Sequence, residues 1–427
     1  MKILVVGGGG REHALAWKLR QSPDVTELYV APGNAGIAAM ADCVPIDASS
    51  TVELADFAEK LRVDLTVVGP ELPLTLGIAD EFEKRGLKLF GASAAATEIE
   101  SSKVFAKEFM VRHKIPTAKF TCCASYEEAV TTLRRRSKAE YPVVLKADGL
   151  AAGKGVVIAD DRSDAIAALR VCLIDRAFGE AGAVVLVEEH LTGREVSAFG
   201  LTDGREVVPL VLAQDFKRAG DGDMGPNTGG MGAYSPVPWV DEGMERRIWD
   251  EVLVRTVRAM ESEGVRYAGL LYAGLMVTED GPKVLEFNCR FGDPETQAIV
   301  PRLRSDLGEM LLASVEGNIG NYKALWAPDV CVTVVLASGG YPGPYETGFV
   351  IDGLDEAGAI DDVVIFHAGT AERRGRVVTA GGRVLAVSAL GATAEEARDR
   401  AYQACSRISF PGMHFRRDIA ADVTEAG

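Results

Sequence analysis

The sequence lacks several features that mark common protein classes. Only seven of its 427 residues are cysteine, an odd number, and no two of them form a Cys-x-x-Cys pair. This pattern argues against a disulfide framework or a cysteine zinc site, and it favours a reducing, cytoplasmic environment. No apolar run reaches the ~18–20 residues that span a bilayer. The opening MKILVVGGGG is typical of a strand and a glycine loop, not of a signal or transit peptide.

Basic residues are also few relative to acidic ones. Lysine and arginine total 46 against 62 aspartates and glutamates, which gives a formal net charge of −16. A surface this acidic repels nucleic acid and anionic lipid. We therefore expect small-molecule partners, and neither nucleic acid nor a membrane. The composition, 47% hydrophobic and 25% charged, is that of a globular protein, and the length predicts two to four domains. We expect a monomer or a weak dimer.

Strands and helices alternate along the first hundred residues. The apolar run Lys2–Val6 predicts a strand buried on both faces, and the spacing over Arg11–Arg20 predicts a helix. Further strands are predicted at Glu27–Val30, Cys43–Ile46 and Leu65–Val68. This pattern is typical of a small doubly wound βα domain.

Capping pairs and strand runs divide the remainder. Ser50 with Glu53, and Ser125 with Glu128, each predict a capping box at the start of a helix. A long helix is predicted over 242–263, and short strands with turns from Cys331 onward predict a small, mainly-β C-terminal domain. The predicted domains are 1–102, 103–192, 193–326 and 327–427.

The first glycine loop, Gly7–Gly10, follows a strand and opens a helix, so its backbone N–H groups can face an anion. A dinucleotide fingerprint would need another glycine where Glu12 stands, and an acid at the end of the second strand, which instead reads Ala31-Pro32. These departures favour a different phosphate-bearing ligand, although a plain tight turn is the simpler alternative. A second loop, 33–36, lies on the same strand-end side. The candidate substrate-binding residues here are Gly8, Gly9, Gly10, Arg11, Glu12, Asn34 and Gly36.

The second glycine loop, 148–155, is not a Walker A motif. Its Lys154 is followed by Gly155 instead of a hydroxyl residue, and the loop joins two strands. We predict a flap whose backbone donors cover phosphates, with Lys154 as a mobile cation. Lys146, at the end of the preceding strand, is predicted to reach the same phosphates. This combination indicates ATP as a co-substrate.

An apolar strand that ends at Glu188-Glu189 is either an ordinary strand end or the backbone hinge that contacts adenine. Glu195 suits a ribose-binding role. The candidate ATP-binding residues are Lys103, Lys146, Gly153, Lys154, Gly155, Glu188, Leu191 and Glu195.

The strongest pattern lies in KVLEFNCRFGD. Glu286 and Asn288 are two apart on a strand and so share a face, and their oxygens suit Mg²⁺ (or Mn²⁺) between ATP phosphates. Arg290 is predicted to continue this face and to bind a carboxylate or phosphate. The strand Leu271–Val277 carries no acid, so the sequence assigns no ligands to a second ion. The candidate catalytic residues are Arg290, Lys154 and Lys146.

A glycine-rich excursion of some twenty residues starts at Gln214 and ends at Tyr234. Loops of that length within a compact domain are commonly functional. Asp215 is a candidate for the amino group of a small amino acid, and Lys217 for a phosphate.

With these motifs in place, the sequence resembles the ATP-grasp superfamily and, within it, the family of phosphoribosylamine–glycine ligases. The resemblance runs over the whole chain. The stretches that carry it include GGREHALAWK, APGNAG, VVGPELPL, SSKVFAK, HKIPTA, KADGLAAGKGV, GPNTGGMGAYSP, LYAGLM, LEFNCRFGDPETQ and ASGGYPGPYETG. One departure is Phe216, where many members of the family have histidine.

The resemblance implies an α/β and α+β multidomain fold: a doubly wound N-terminal domain, an ATP-grasp core and a small C-terminal domain. It implies that ATP, glycine and 5-phosphoribosylamine give glycinamide ribonucleotide, ADP and phosphate, with the N-terminal loops holding the ribosyl phosphate. Three alternatives remain at this point: an NAD-dependent oxidoreductase, a non-catalytic nucleotide sensor, and a purine-pathway carboxylase that uses bicarbonate.

Overall fold

A computed structural model of the chain describes residues 1–149, 155–177 and 179–424. The N-terminal region is a five-stranded parallel sheet in the order β3-β2-β1-β4-β5. Its strands are β1 (Lys2–Gly7), β2 (Glu27–Pro32), β3 (Asp42–Cys43), β4 (Leu65–Val68) and β5 (Leu89–Phe90). The helices are α1 (Gly10–Leu19), α2 (Thr51–Leu61), α3 (Glu71–Thr75), α4 (Ile78–Lys84) and α5 (Ala94–Ser101).

Strand β1 is apolar at successive positions because both faces of the sheet are covered. Ile3 and Val5 pack into one buried cluster, and Leu4 and Val6 pack into another. The predicted doubly wound domain is therefore confirmed.

Two local predictions were wrong. The third strand is only Asp42–Cys43, because Pro45 has no amide hydrogen with which to continue the ladder. Ser50 precedes α2 but makes no side-chain capping bond. The turn before α2 is instead closed by Asp47, whose Oδ1 accepts from the Ser49 amide at 2.9 Å.

The second region begins with α6 (Lys103–Arg112) and a four-stranded antiparallel sheet in the order β6-β9-β7-β8. We call this sheet and its two helices the flap lobe. Its strands and helices are β6 (Phe120–Cys123), α7 (Tyr126–Arg135), β7 (Val143–Ala147), β8 (Val156–Ala159), α8 (Arg162–Leu169, continued as a π-helix to Ile174) and β9 (Val185–Glu189). The predicted cap of α7 is present, since Ser125 Oγ accepts from the Glu128 amide at 3.2 Å.

The third region is built on an antiparallel sheet in the order β11-β10-β16-β17. Its strands are β10 (Arg194–Asp203), β11 (Val207–Pro209), β16 (Ala268–Thr278) and β17 (Gly281–Asn288). The predicted long helix is present as α9 (Glu242–Arg247), a π-helical stretch Ile248–Val254 and α10 (Arg255–Ser262). Helices α11 (Glu295–Ile299) and α12 (Leu307–Glu316) follow.

A fourth sheet joins two distant parts of the chain, in the order β12-β15-β18-β22-β19. Its first two strands, β12 (Gln214–Asp215) and β15 (Gly232–Ser235), come from the glycine-rich excursion, which also forms the hairpin β13 (Arg218–Gly220) and β14 (Met224–Asn227). The others belong to the C-terminal part: β18 (Val330–Ala337), β19 (Val363–His367) and β22 (Arg383–Gly391). The remaining elements there are α13 (Leu354–Gly358), the hairpin β20 (Thr370–Arg373) and β21 (Arg376–Thr379), α14 (Ala394–Cys405) and α15 (Ala421–Thr424).

The apolar interior divides unevenly. The largest buried cluster contains Leu4 of β1, Leu275 of β16 and Val387 of β22, so the N-terminal sheet, the third region and the C-terminal part share one core. The flap lobe has a separate core, which includes Leu133, Leu145 and Val187. None of the helices in the described ranges has the length and apolar character needed to cross a bilayer.

Candidate active site

Lys146 and Glu188 lie on the inner face of the flap-lobe sheet. Leu145 and Val187 belong to the core beneath α7 and α8, so the alternation of side chains along a strand directs their neighbours to the opposite face. On that face Lys146 Nζ donates to the carbonyl oxygen of Leu285 in β17 at 3.0 Å. The flap-lobe sheet therefore faces the β10–β17 sheet at Lys146, and we call the space between the two sheets the cleft; that it binds ATP stays a prediction.

Glu188 is the counter-charge for two buried lysines. It is 2% exposed, and its Oε2 lies 3.1 Å from Lys146 Nζ and 3.0 Å from Lys107 Nζ. Burial lowers the pKa of Lys107 to about 8, although the Glu188 charge opposes that shift. Lys107 was not among the predicted site residues, because within a helical segment its spacing indicates only a solvated position. The prediction that Glu188 supplies a backbone contact to adenine stays a prediction.

Lys103 and Gly155 lie at the two ends of the predicted flap. Lys103 Nζ donates to the Gly149 carbonyl oxygen at 2.6 Å, and the Gly155 carbonyl oxygen accepts from the Ala147 amide at 2.8 Å. Burial lowers the pKa of Lys103, and the Glu286 carboxylate partly offsets this. Gly153 and Lys154 lie outside the described residues. The described ends of the predicted flap, Gly149 and Gly155, thus adjoin the paired strands β7 and β8.

A cavity of about 520 Å³ separates the flap lobe from the excursion. It is lined by Val156, Val157 and Ile158 of β8, Arg218, Pro226 and Asn227 of the β13–β14 hairpin, and Pro342 with Gly343 of the C-terminal part. Its volume falls in the range of small-molecule sites.

Leu191 and Glu195 follow β9 at the hinge into β10. Leu191 is buried, and Glu195 Oε2 accepts from Lys217 Nζ at 2.7 Å. The Lys217 charge lowers the pKa of Glu195. Glu195 therefore connects the ATP-side strand with the glycine-rich excursion, and its ribose role remains a prediction.

Asp215 and Lys217 lie together, 3.4 Å apart between Oδ1 and Nζ. Burial raises the pKa of Asp215 to about 7, even though Lys217 pulls it in the opposite direction. Burial alone would lower the pKa of Lys217, but the charges of Asp215 and Glu195 outweigh it and raise that pKa. The lysine predicted to hold phosphate is thus engaged with two carboxylates.

Glu286 and Asn288 share the face of β17 opposite Phe287, which is 2% exposed. Gly274 of β16 is the register partner of Glu286, and a Cβ at Gly274 would come within 3.3 Å of the Glu286 Cγ atom. The absence of a side chain at Gly274 therefore leaves room for the carboxylate over the sheet.

The donor set fits a magnesium ion. Among the residues that the structure describes, the side chains of Glu286 and Asn288 make no hydrogen bond or salt bridge, so both oxygens are available. No group of three or more His, Cys, Asp or Glu residues in the described part could hold a metal ion, so the remaining ligands would come from ATP and water.

Arg290 lies just beyond the end of β17, so its predicted place on the face of Glu286 and Asn288 stays a prediction. The strand ends at Asn288, and the guanidinium lies 3.2 Å from Glu100 Oε1 and 3.4 Å from Glu71 Oε2. Burial would lower the pKa of Arg290, but the two carboxylates raise it. Burial also raises the pKa of Glu100, against the Arg290 charge. Arg290 is therefore aimed toward the N-terminal domain, and its substrate role stays a prediction.

Asn34 joins the two N-terminal loops, and Glu12 stabilises the first of them. Asn34 Nδ2 donates to the Gly8 carbonyl oxygen at 2.9 Å, and its Oδ1 accepts from the amide of Gly36 at 3.0 Å. Glu12 Oε2 accepts from the Gly9 amide at 2.5 Å, which closes the turn into α1. Arg11 Nε lies 2.5 Å from Glu12 Oε1. Glu12 thus stabilises the loop itself, at the place where a dinucleotide fingerprint would have glycine. Gly10 starts α1 directly beyond.

The C-terminal part also reaches these loops. Asn34 Nδ2 donates to the His367 carbonyl oxygen at 2.7 Å, and the His367 amide donates to His13 Nδ1 at 2.8 Å. Burial lowers the pKa of His13 to about 3 and that of His367 to about 4, so both rings are neutral near pH 7. Arg383 pairs with Asp293 at 3.2 Å.

Sequence reasoning missed five charged residues. Lys107 pairs with Glu188 of the flap lobe, Glu71 and Glu100 pair with Arg290, and Asp293 pairs with Arg383. Asp293 had a usable signal, because it lies three residues after Arg290 in the same polar run. Arg383 had none, since the sequence does not show that a strand ninety positions later packs beside Asp293.

Three comparisons bear on this arrangement. The chain matches family models described as the phosphoribosylglycinamide synthetase N domain over residues 1–100, the ATP-grasp (A) domain over 101–296, and the C domain over 331–422. It is 51% identical over 422 residues to a phosphoribosylamine–glycine ligase of Pseudomonas aeruginosa, covering 98% of this chain and 97% of that protein.

Solved structures give the same result. A phosphoribosylamine–glycine ligase from Thermotoga maritima superposes with a TM-score of 0.85 at 34% identity, covering 98% of this chain and all of that one. A biotin carboxylase from Campylobacter jejuni matches with a TM-score of 0.73 at 14% identity, covering 99% of this chain and 98% of that one, which is a likeness of fold alone.

Proposed function

The chain belongs to the phosphoribosylglycinamide synthetase family, and on this premise we propose that it joins glycine to 5-phosphoribosylamine with hydrolysis of ATP. The products are glycinamide ribonucleotide, ADP and phosphate, and the reaction is an early step of purine synthesis. The enzyme is a ligase that forms a C–N bond. The NAD-dependent oxidoreductase and the nucleotide sensor are set aside, since neither uses the carboxylate and amide of β17 and the following Arg290 together with a phosphate loop.

One observation supports this function most directly: a single segment runs from the cleft to the N-terminal loops. Glu286 and Asn288 face the cleft, Arg290 pairs with Glu71 of the N-terminal domain, and the Phe291 carbonyl oxygen accepts from Arg11 Nη1 at 3.1 Å. Five residues of extended chain span at most ~17 Å. A group activated in the cleft is therefore close to an amine held at the loops.

In the first step, an oxygen of the glycine carboxylate attacks the γ-phosphorus of ATP in line. The bond from that phosphorus to the β–γ bridging oxygen breaks, which yields glycyl phosphate and ADP. Lys146 and Lys154 stabilise the negative charge that develops on the phosphoryl oxygens. Asp215 binds the glycine ammonium group, and Glu195 contacts the ribose of ATP.

In the second step, the amine of 5-phosphoribosylamine attacks the acyl carbon. The carbon–oxygen bond to phosphate breaks, phosphate leaves, and the amine loses a proton as the amide forms. The loops at Gly8–Gly10 and 33–36 hold the ribosyl phosphate, so positioning makes a large contribution to the rate. The flap excludes water from glycyl phosphate, which would otherwise hydrolyse.

Magnesium, or manganese, belongs to this proposal. A divalent cation on Glu286 and Asn288 would neutralise charge on the ATP phosphates. Glu286 and Asn288 orient the triphosphate relative to Lys146. We further propose that the reaction takes place in the cytoplasm, which agrees with seven free cysteines, and that the protein is a monomer or a weak dimer.

The test is to incubate the protein with Mg²⁺, ATP, glycine and freshly made 5-phosphoribosylamine, and to identify all products. We expect ADP, phosphate and glycinamide ribonucleotide, each dependent on both substrates. AMP with pyrophosphate would contradict the acyl-phosphate route. Turnover with bicarbonate in place of glycine would identify a carboxylase instead.

A further inference from the structure

Phe216 is an apolar residue between two charged ones. Asp215 and Lys217 pair with each other, whereas the Phe216 ring is 9% exposed and lies on the other side of the chain. Backbone bonds hold it in place: the Phe216 amide donates to the Gly232 carbonyl oxygen at 3.0 Å, and its own carbonyl oxygen accepts from the Met231 amide at 2.8 Å. What contacts the Phe216 ring therefore also restrains the backbone that carries the two charged side chains.

Arg416 makes that contact from the C-terminal part of the chain. Its guanidinium carbon lies 5.0 Å from the centroid of the Phe216 ring, within the range of a cation–π interaction. The side chain is 1% exposed, the largest that is fully buried among the described residues. Because water is excluded, the attraction between the cation and the ring is stronger than at a surface.

The charge of Arg416 is compensated at the edges of the guanidinium, which leaves its face for the ring. Nε and Nη2 donate to the two oxygens of Asp418 at 2.7 and 2.6 Å, and Nη1 donates to Asp223 Oδ1 at 2.7 Å. Nη1 also reaches the carbonyl oxygen of Arg218 at 3.2 Å. These bonds fix the guanidinium plane relative to the turn that follows Lys217.

The same two segments are joined by backbone donors. The Gly222 amide donates to Asp418 Oδ2 at 2.8 Å, and the Arg417 amide donates to Asp221 Oδ1 at 2.7 Å. The turn 221–223 is thus held against residues 416–418 on both sides.

We propose that Arg416 is a positioning residue for glycine binding, acting through the ring of Phe216 on Asp215 and Lys217. This inference rests on the proposed function, in which Asp215 receives the glycine ammonium group. Arg416 itself contacts neither substrate. Arg416 restrains the plane of the Phe216 ring, and the ring restrains the backbone at the end of β12. That backbone sets the direction of the Asp215 carboxylate.

The experiment compares the KM for glycine, the KM for ATP and kcat in the full-length protein and four variants. Phe216→Leu removes the ring but leaves Arg416 and its salt bridges, and Arg416→Lys keeps the charge but loses the planar guanidinium. We expect each to raise the KM for glycine about tenfold, with the KM for ATP and kcat changed by less than about twofold. Phe216→His retains a flat ring, and burial beside Arg416 keeps the imidazole neutral, so its KM for glycine stays within about threefold of the parent.

Phe82→Leu is the matched control, since it deletes a buried ring from the N-terminal core. We expect it to lower the Tm without changing the KM for glycine. The inference is overturned if Phe216→Leu behaves like this control, or if Phe216→His is as impaired as Phe216→Leu. If Arg416→Lys does not fold, the KM values for glycine of the two Phe216 variants still test the inference. Absence of ligation by the parent protein would instead refute the proposed function.

Discussion

At the residue scale, the buried carboxylate of Glu188 is the shared counter-charge of Lys107 and Lys146 in the cleft. Two buried lysines share one carboxylate, so the three groups together carry a net positive charge. Burying that charge is unfavourable unless a further anion binds beside the lysines. Glu188 Oε1 has no hydrogen-bond partner within the described ranges, so the carboxylate also has capacity to accept one more donor.

Replacing Glu188 by glutamine removes the negative charge shared by Lys107 and Lys146. We expect the free energy of unfolding to fall by about 3–5 kcal/mol, because breaking a buried ion pair leaves its partners uncompensated. The KM for ATP is expected to rise, since Lys146 loses the carboxylate that holds its ammonium group in place. Urea unfolding and initial-rate kinetics measure the two effects. Glu108→Gln, at an exposed position of α6 next to Lys107, is the control and should change neither.

The oxygen pair on β17 gives a second prediction. Glu286→Gln and Asn288→Ala should each lower kcat about 10²-fold or more, the effect typical of removing one electrostatic contributor at a reacting phosphoryl group. The Mg²⁺ concentration for half-maximal rate should rise as well. A magnesium titration of the steady-state rate measures both. Glu279→Gln, at the exposed turn between β16 and β17, should titrate like the parent; if Glu286→Gln does so too, the metal site is misassigned.

Asp215 makes glycine binding depend on pH. Its pKa is raised to about 7 by burial, so the carboxylate becomes neutral as the pH falls through 7 and loses its attraction for an ammonium group. We expect the KM for glycine to rise by up to about tenfold from pH 8 to pH 6. The comparison is with Asp215→Asn, which should bind glycine weakly with little dependence on pH. A flat profile for the parent would argue against Asp215 as the ammonium ligand.

At the element scale, the turn between β1 and α1 has no space for side chains. A Cβ at Gly8 would lie 2.5 Å from the Gly33 carbonyl oxygen. Gly8→Ala should therefore separate the two loops, lower the free energy of unfolding by about 1–3 kcal/mol and raise the KM for 5-phosphoribosylamine. The KM for glycine should be unchanged. Gly358→Ala, whose Cβ would meet its nearest atom at 3.9 Å, is the control in thermal unfolding and kinetics.

How far the sequence predicted these elements depended on how local each signal was. The period-2 pattern around Phe287 correctly oriented Glu286 and Asn288, and the run at β1 correctly gave a buried strand. Arg290 lies two residues beyond the end of β17, so the pattern could not predict its partners, Glu71 and Glu100. The predicted capping box at Ser50 was wrong, because the side chain of Asp47 closes the turn before α2 instead.

At the scale of the whole molecule, the C-terminal part is not separable from the active site. Strand β15 pairs with β18 through residues 232–235 and 331–334, so the sheet that carries Asp215 on β12 continues into the C-terminal strands. No pattern in the sequence predicts this pairing, since it joins segments almost a hundred residues apart. The predicted domain boundary at residue 327 stays a prediction, but the hydrogen bonds between β15 and β18 join residues on both sides of it.

Truncation tests this continuity. A protein of residues 1–330 would leave β15 as an unpaired edge and expose the apolar face beneath β18. We expect it to aggregate, or to have no ligase activity even where it is soluble. Co-expression with residues 331–427 should restore activity if the two fragments associate. The measurements are size-exclusion chromatography and the ligation assay, and an active monomeric 1–330 fragment would show that the shared sheet is dispensable.

The shared sheet also restricts how such a chain can recombine with its relatives. A chimaera joined at residue 330 would combine β15 of one parent with β18 of another. These strands pair so closely that a Cβ at Gly232 would come within 2.6 Å of the Thr333 carbonyl oxygen. An exchange before Gln214 keeps β12, β15, β18 and the Phe216–Arg416 contact together. The segment that must come from one parent is therefore larger than the C-terminal domain. Folded and active chimaeras should have their crossover points before the glycine-rich excursion.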